Sequence, residues 1–108
     1  MGVRLLLRDD TLTARITGEI DHHTARSVRE EIDGAAQKVK PLRLCRDFSE
    51  VPFMDSSGVG LILGRHRLMQ MWHGRVILEN LSPQVEKLVG LSGLDRLVAI
   101  ERREPHEG

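Results

Sequence analysis

The spacing of apolar residues changes period repeatedly along this chain, and that alternation constrains the fold more than any other feature. Val3, Leu5 and Leu7 alternate with neighbours that include Arg4, and Leu12, Ala14 and Ile16 do the same after the turn-like Asp9-Asp10. Alternation is the period of half-buried strands, so the chain is expected to open with a hairpin. From Thr24 the apolar positions Ala25, Val28, Ile32, Ala35 and Val39 fall three or four apart, with Arg26, Arg29, Glu30 and Glu31 between them. This predicts a helix that buries one stripe and leaves a solvated, charged outer face. Pro41 ends it, and residues 42–48 read as a short strand that runs into a loop at 49–54.

Asp55-Ser56-Ser57-Gly58 then precedes an apolar run that continues to Trp72, so a second helix starts here and Gly74 stops it. Val76-Ile77-Leu78 is a continuous apolar run of the kind shown by a strand covered on both faces. Ser82-Pro83 sets an N-cap and a first-turn proline ahead of Val85, Leu88 and Val89, with Gly93 after the last apolar position, which predicts a third helix. Residues 97–100 supply a final strand.

The order β-β-α-β-α-β-α-β makes the helices crossovers within a mostly parallel mixed sheet. One small α/β domain follows, with a core over residues 3–101 and a polar tail at 102–108 that is expected to fray. In open sheets of this kind the loops after the strands and the helix N-termini gather at one edge. That edge is expected to carry Asp21, from the stretch GEIDHHTA, together with Asp55 and Ser56, from MDSSG.

Composition excludes several functions. Cys45 is the single cysteine and no signal-peptide pattern opens the chain, so a reducing cytoplasm is the expected location. The longest apolar stretch, residues 59–63, falls far short of a membrane span. Sixteen basic residues balance sixteen acidic ones, so the positive field that holds nucleic-acid backbones is missing. Phe48, Phe53 and Trp72 are the only aromatic residues among Phe, Trp and Tyr, too few for a base-stacking platform. Neither nucleic acid nor membrane is an expected partner.

The helix start at Ser56 has two readings. Serine there accepts a hydrogen bond from a free backbone N–H and stabilises the helix by about 1 kcal/mol. A phosphate on Ser56 would also sit where free N–H groups and the helix dipole favour negative charge, so a switch could operate without melting the fold. Other chemistry fits less well. The stretch GVGLILG, with Gly58, Gly60 and Gly64, imitates a dinucleotide fingerprint but has three residues between its last two glycines and no following lysine. Gly60 and Gly64 are instead expected to share a helix face and let the helix approach the sheet. His22 and His23 are adjacent, so their side chains diverge on a helix and do not chelate one ion; hydrogen bonding at the helix start is the expected role. No cofactor or metal is expected. A hydrolase built from Ser56, His22 or His23, and Asp55 or Asp21 lacks the strained GxSxG elbow. Cys45 is expected to act as a small buried hydrophobe.

Three blocks in order carry a resemblance: TGEIDHHTA at 17–25, FSEVPFMDSSGVGLILGR at 48–65 and LSPQVEKLVGLSGL at 81–94. The chain resembles a STAS domain, and within that family the anti-sigma factor antagonists. The doubled histidine after the Asp, the DSSG and the LILGR resemble the sporulation branch more than the general-stress branch. The resemblance implies that the unphosphorylated form binds an anti-sigma factor that is also a serine protein kinase, and so frees a sigma factor. It implies that this kinase ends the binding by phosphorylating Ser56, that a PP2C-type phosphatase resets the switch, and that the chain is a substrate and no enzyme. It implies a partner-binding surface of Asp21, Asp55, Ser56, Ser57 and Gly58. A STAS module of a stress-response assembly is the alternative, with a small hydrolase or nucleotide-binding protein behind it. Arg46 departs from the family's usual apolar residue and is expected to lie at a sheet surface or snorkel outward. The sporulation branch also continues into a further helix beyond the position of Gly108.

Overall fold

The computed structural model describes residues 2–101. The polar tail expected at 102–108 lies outside the described residues. Five strands and three helices follow the expected order: β1 (Gly2–Arg8), β2 (Thr11–Thr17), α1 (Ala25–Val39), β3 (Arg43–Glu50), α2 (Ser56–Gln70), β4 (Arg75–Glu79), α3 (Pro83–Ser92) and β5 (Ala99–Glu101), with a 3-10 turn at Leu94–Arg96. The strands lie side by side in chain order, β1 antiparallel to β2 and the rest parallel. Among the described residues no helix is long and apolar enough to cross a membrane.

Sequence chemistry sets most of the element ends. α1 stops at Lys40, whose left-handed backbone (φ 50°) lets its N–H reach Ala36 O before Pro41 forbids another helical turn. Ser82 caps α3 by accepting from Val85 N, and Gly93 closes it with φ 81°. α2 ends at Gln70, before Trp72; the indole N–H of Trp72 instead donates to Pro41 O at 2.8 Å. β3 continues through Ser49 and Glu50, residues expected in the loop, because Glu50 pairs with Thr17 beyond a register shift that places one extra residue in β3. β5 is shorter than expected, since Leu97 is spent in leaving the 3-10 turn.

All three helices bury their apolar residues against one face of the sheet. Leu12, Ala14 and Ile16 of β2, Leu44 and Phe48 of β3, and Val76 and Leu78 of β4 share a single cluster with Val28, Ile32 and Ala36 of α1, Ile62 and Met69 of α2, and Val85 and Val89 of α3. The α1 stripe turns through Ala36, which leaves Ala35 only partly buried and Val39 exposed. Val76, Ile77 and Leu78 are all buried as expected, but among the described residues the helices cover only one face of β4. Residues of the opposite parity, Cys45, Ile77 and Ala99, line a shallow depression with Arg43, Arg75, Glu79 and Glu101 rather than a helix. Cys45 is buried and reduced, as a small apolar residue would be.

Arg46 overturns its expectation most clearly. It neither reaches a surface nor snorkels, but is 0% exposed on the helix side of β3, in a row with Leu44 and Phe48. Its Nε, Nη1 and Nη2 have no hydrogen-bond partner among the described residues, and its guanidinium lies 5.6 Å from the centre of the Phe48 ring. Burial, aided by the like charge of Arg65 and opposed by Asp33, pushes its pKa down to about 9. Above it, Arg65 of α2 pairs with Asp33 of α1 and donates to Leu61 O, which ties the two helices together.

Candidate functional site

Two loops at the carboxyl edge of the sheet are locked edge to edge. Gly18 N donates to Glu50 O at 3.0 Å, Ile20 N to Phe53 O at 3.1 Å and Asp55 N to Ile20 O at 3.1 Å, so a one-residue parallel bridge, Ile20 with Met54, extends the sheet beyond β2 and β3. Ile20, Val51 and Met54 are buried and anchor this extension in the core. The bridge brings the residue after Ile20 beside the residue after Met54. Asp21 and Asp55, as expected, therefore share one surface with Ser56.

Asp55 is the N-cap of α2. Its backbone is extended (φ −100°, ψ −170°) and its Oδ1 accepts from Ser57 N at 2.8 Å. Ser56 is thus the first helical residue and not the cap, which corrects the simpler of its two readings: a more strongly accepting carboxylate stands one residue earlier. Ser56 is exposed, and its hydroxyl takes part in no hydrogen bond among the described residues. Ser57 is partly buried. Gly58 is buried, and a β-carbon there would overlap the side chain of Met54 at Cγ and Sδ, so a larger residue forces that buried side chain to shift.

Asp21 does a local task. Its Oδ1 accepts from His23 N at 2.9 Å and Thr24 N at 3.0 Å, and the Thr24 hydroxyl donates to Glu19 O while accepting from Asp21 N. The Thr24 amide, with the His23 amide and against desolvation, holds the Asp21 carboxyl below the usual carboxylate range. Asp21 therefore shapes the entry to α1 with Thr24, a role for Thr24 that the sequence reading missed. The His22 and His23 rings do not cap the helix but stack on each other, centroids 4.4 Å apart. Among the described residues no group of three or more His, Cys, Asp and Glu side chains is placed to hold a metal ion.

Gln84, also unforeseen, clamps the loop before α2 from α3. Its amide accepts from Met54 N at 3.2 Å and donates to Met54 O at 3.1 Å, satisfying the N–H and the C=O of one residue as a neighbouring strand would. The only trace in the sequence is an amide side chain directly after the helix-opening Pro83. Gly60 and Gly64 also depart from expectation. A β-carbon at either would meet nothing, and both face a groove of 360 Å³ between α1 and α2, lined with Arg26, Arg29, Ser57 and Arg65, rather than the sheet.

The edge as a whole presents an exposed hydroxyl at a helix N-terminus on a backbone held by three loop-to-loop hydrogen bonds and the two from Gln84. A hydroxyl so placed is chemically able to accept a transferred acyl or phosphoryl group. Comparison with known proteins agrees with the fold. A STAS-domain family model matches residues 3–106. The chain is 37% identical over 93 residues to the anti-sigma F factor antagonist of Paenibacillus polymyxa, a match covering 86% of this chain and 80% of that protein. The structure of the anti-sigma factor antagonist SpoIIAA in its unphosphorylated form is similar at a TM-score of 0.83 and 36% identity, over 95% of this chain and 89% of that one. The Bacillus cell fate determinant SpoIIAA in its phosphorylated form is similar at 0.75 and 35%, over 95% and 92%.

Proposed function

That this chain belongs to the STAS-domain family is the premise from which we propose its function: it is an anti-sigma factor antagonist whose hold on its partner is set by one phosphate on Ser56. The observation that carries this reading is the exposed, unpartnered Ser56 hydroxyl one residue inside a helix that Asp55 already caps. Because the cap is a different residue, Ser56 can be modified without removing it. The added group meets the N-terminal N–H groups and the positive end of the helix dipole, which favour a phosphate there.

In the unphosphorylated state the surface of Asp21, Asp55, Ser56, Ser57 and Gly58 binds an anti-sigma factor, and the sigma factor is released. That anti-sigma factor is also a serine kinase. Ser56 Oγ attacks the γ-phosphorus of its ATP, the bond to ADP breaks, and the hydroxyl proton passes to the kinase. The phosphoserine adds about −2 charge next to Asp55, and a surface matched to a neutral hydroxyl is then opposed by like charge and by a strongly hydrated group. A PP2C-type phosphatase restores the serine by hydrolysing the ester. The chain is the substrate of both reactions, and the similarity to an anti-sigma F factor antagonist supports sporulation as the setting.

The test mixes the purified protein with its cognate anti-sigma kinase and ATP, then reads intact mass and binding. Wild type is expected to gain one phosphate and lose affinity, while Ser56→Ala gains none and stays bound. A wild-type protein that gains no phosphate, or binds equally well with and without it, refutes the proposal.

A further inference from the structure

The groove between α1 and α2 has charge of one sign on its walls. Arg26, Arg29 and Arg65 line its 360 Å³ together with His22 and Ser57, and no Asp or Glu stands among the lining residues. Gly60 and Gly64, which share a helix face, keep it open: a β-carbon at either would meet nothing, so packing of α2 does not require glycine there.

Charge is not balanced at this place, although sixteen basic and sixteen acidic residues balance over the chain. The one carboxylate of Asp33 feels Arg65, Arg29 and Arg46 together, and its ion pair is with Arg65. Glu30 is engaged by Arg26 in an exposed pair, while Arg29 makes no ion pair or hydrogen bond among the described residues. Arg65 is 6% exposed; its Nη1 donates to Leu61 O and its Nε pairs with Asp33, which leaves Nη2 of this lining side chain without an acceptor among the described residues. Burial pushes the Arg65 pKa down, Asp33 opposes this, and the like charge of Arg29 adds to it. Arg46, fully buried and without a hydrogen-bond partner, is a third guanidinium in the same electrostatic neighbourhood. The Ser57 hydroxyl, partly buried in the groove wall, also takes part in no hydrogen bond among the described residues.

We propose that this groove is a binding site for a small oxyanion of the phosphate class, held by Arg26 and Arg29 from α1 and by Arg65 and the Ser57 hydroxyl from α2. Guanidiniums offer paired N–H donors that match the oxygens of such an anion, and the hydroxyl donates one bond more. Ser57 lies in the first turn of α2, where the helix dipole favours negative charge. The anion supplies the counter-charge that Asp33 alone provides to three guanidiniums. Ser56 is not among the lining residues, so occupancy of the groove and phosphorylation of Ser56 are separately measurable.

Inorganic phosphate titrated into nitrogen-15-labelled protein, against sodium chloride at matched ionic strength, tests this through amide chemical shifts. Phosphate is expected to shift Arg29, Ser57 and Gly60 along one saturable curve that chloride does not reproduce. Arg29→Gln, at an exposed position, is expected to raise the apparent Kd about fivefold or more. Gly60→Leu, which adds bulk without charge where a β-carbon meets nothing, is expected to abolish the saturable shifts. Arg75→Gln, an equal loss of charge in the depression on the other face of the sheet, is expected to leave Kd unchanged. Glycerol phosphate titrated in parallel identifies the source: tighter binding than inorganic phosphate assigns the groove to the phosphoryl end of an organic molecule, weaker binding to the free ion, and either supports the site. Shifts that phosphate and chloride produce alike, a curve that does not saturate, or an Arg75→Gln variant weakened as much as Arg29→Gln overturns the proposal.

Discussion

Replacing Arg46 with methionine is expected to make the protein more stable, against the usual direction of a core substitution. Arg46 is 0% exposed, and all three guanidinium nitrogens lack a hydrogen-bond partner among the described residues. Burial holds the Arg46 proton only to about pH 9, well below the ordinary guanidinium range, which disfavours the charged form by on the order of several kcal/mol. Contact with the Phe48 ring and local relaxation return part of that, and exchanging buried ionic groups for apolar ones of similar volume gains about 1–4 kcal/mol. A gain of about 2 kcal/mol is expected, roughly a 10 °C rise in Tm for a domain of this size. Asp33 keeps Arg65 as its partner in the variant, so no carboxylate is stranded.

The pH dependence separates this cause from simple repacking. The folded protein releases the Arg46 proton near pH 9, while the unfolded chain keeps it to much higher pH, so between those values the unfolded state binds more protons and wild-type stability gains as pH rises. The penalty is complete below pH ~9 and shrinks above it, so the gap between Arg46→Met and wild type narrows from neutral pH to pH ~11. Parallel urea titrations of both proteins at the two pH values measure it. A variant less stable than wild type, or a gap that is the same at both pH values, refutes the reasoning and means that the folded protein satisfies the guanidinium.

Gly58→Ala is expected to lose about 1–3 kcal/mol because its β-carbon forces the buried Met54 to move, while Gly60→Ala, which meets nothing, gains about 0.5–1 kcal/mol of helix propensity; opposite shifts of the urea midpoint check the pair. Gln84→Leu removes both hydrogen bonds to the Met54 peptide and is expected to cost about 1–3 kcal/mol, with amide exchange accelerated at Met54 and Asp55 beyond the change elsewhere. The Asp21 carboxyl is expected to titrate below the usual carboxylate range in an NMR pH series, since the Thr24 and His23 amides favour its charged form. Its contribution to the α1 entry is complete above the ordinary carboxylate pKa and lost as pH falls through the lowered one. A midpoint at or above the ordinary value contradicts that account.

Element order and type were legible because they rest on local signals: alternation in β2, the three-or-four spacing in α1, Ser82-Pro83 ahead of α3, and glycine or proline at the stops. The surface shared by Asp21, Asp55 and Ser56 was legible for a related reason, since a parallel sheet with helical crossovers sends every such loop to one edge. Division of labour within that edge was not. Asp55 and Ser56 are both good caps by residue type, and only the extended backbone at Asp55 decides that the carboxylate takes the role. Gln84 lies 30 residues from Met54 in sequence, so no local pattern links the amide to the peptide it clamps.

What the sequence by itself determined, then, is an α/β chain with a serine at the start of a helix and a family pattern around it. Periodicity, caps and breakers act over a few residues and read the same in any context. Only the tertiary structure decided that the three helices share one face of the sheet, that Arg46 is buried beneath them, and that, among the described residues, β1 has a strand neighbour on one side only. Each of these depends on which elements lie against which. A strand of alternating leucines reads as half-buried whether a neighbour covers its edge or not, and an arginine in an apolar strand reads as surface until the helices close over it.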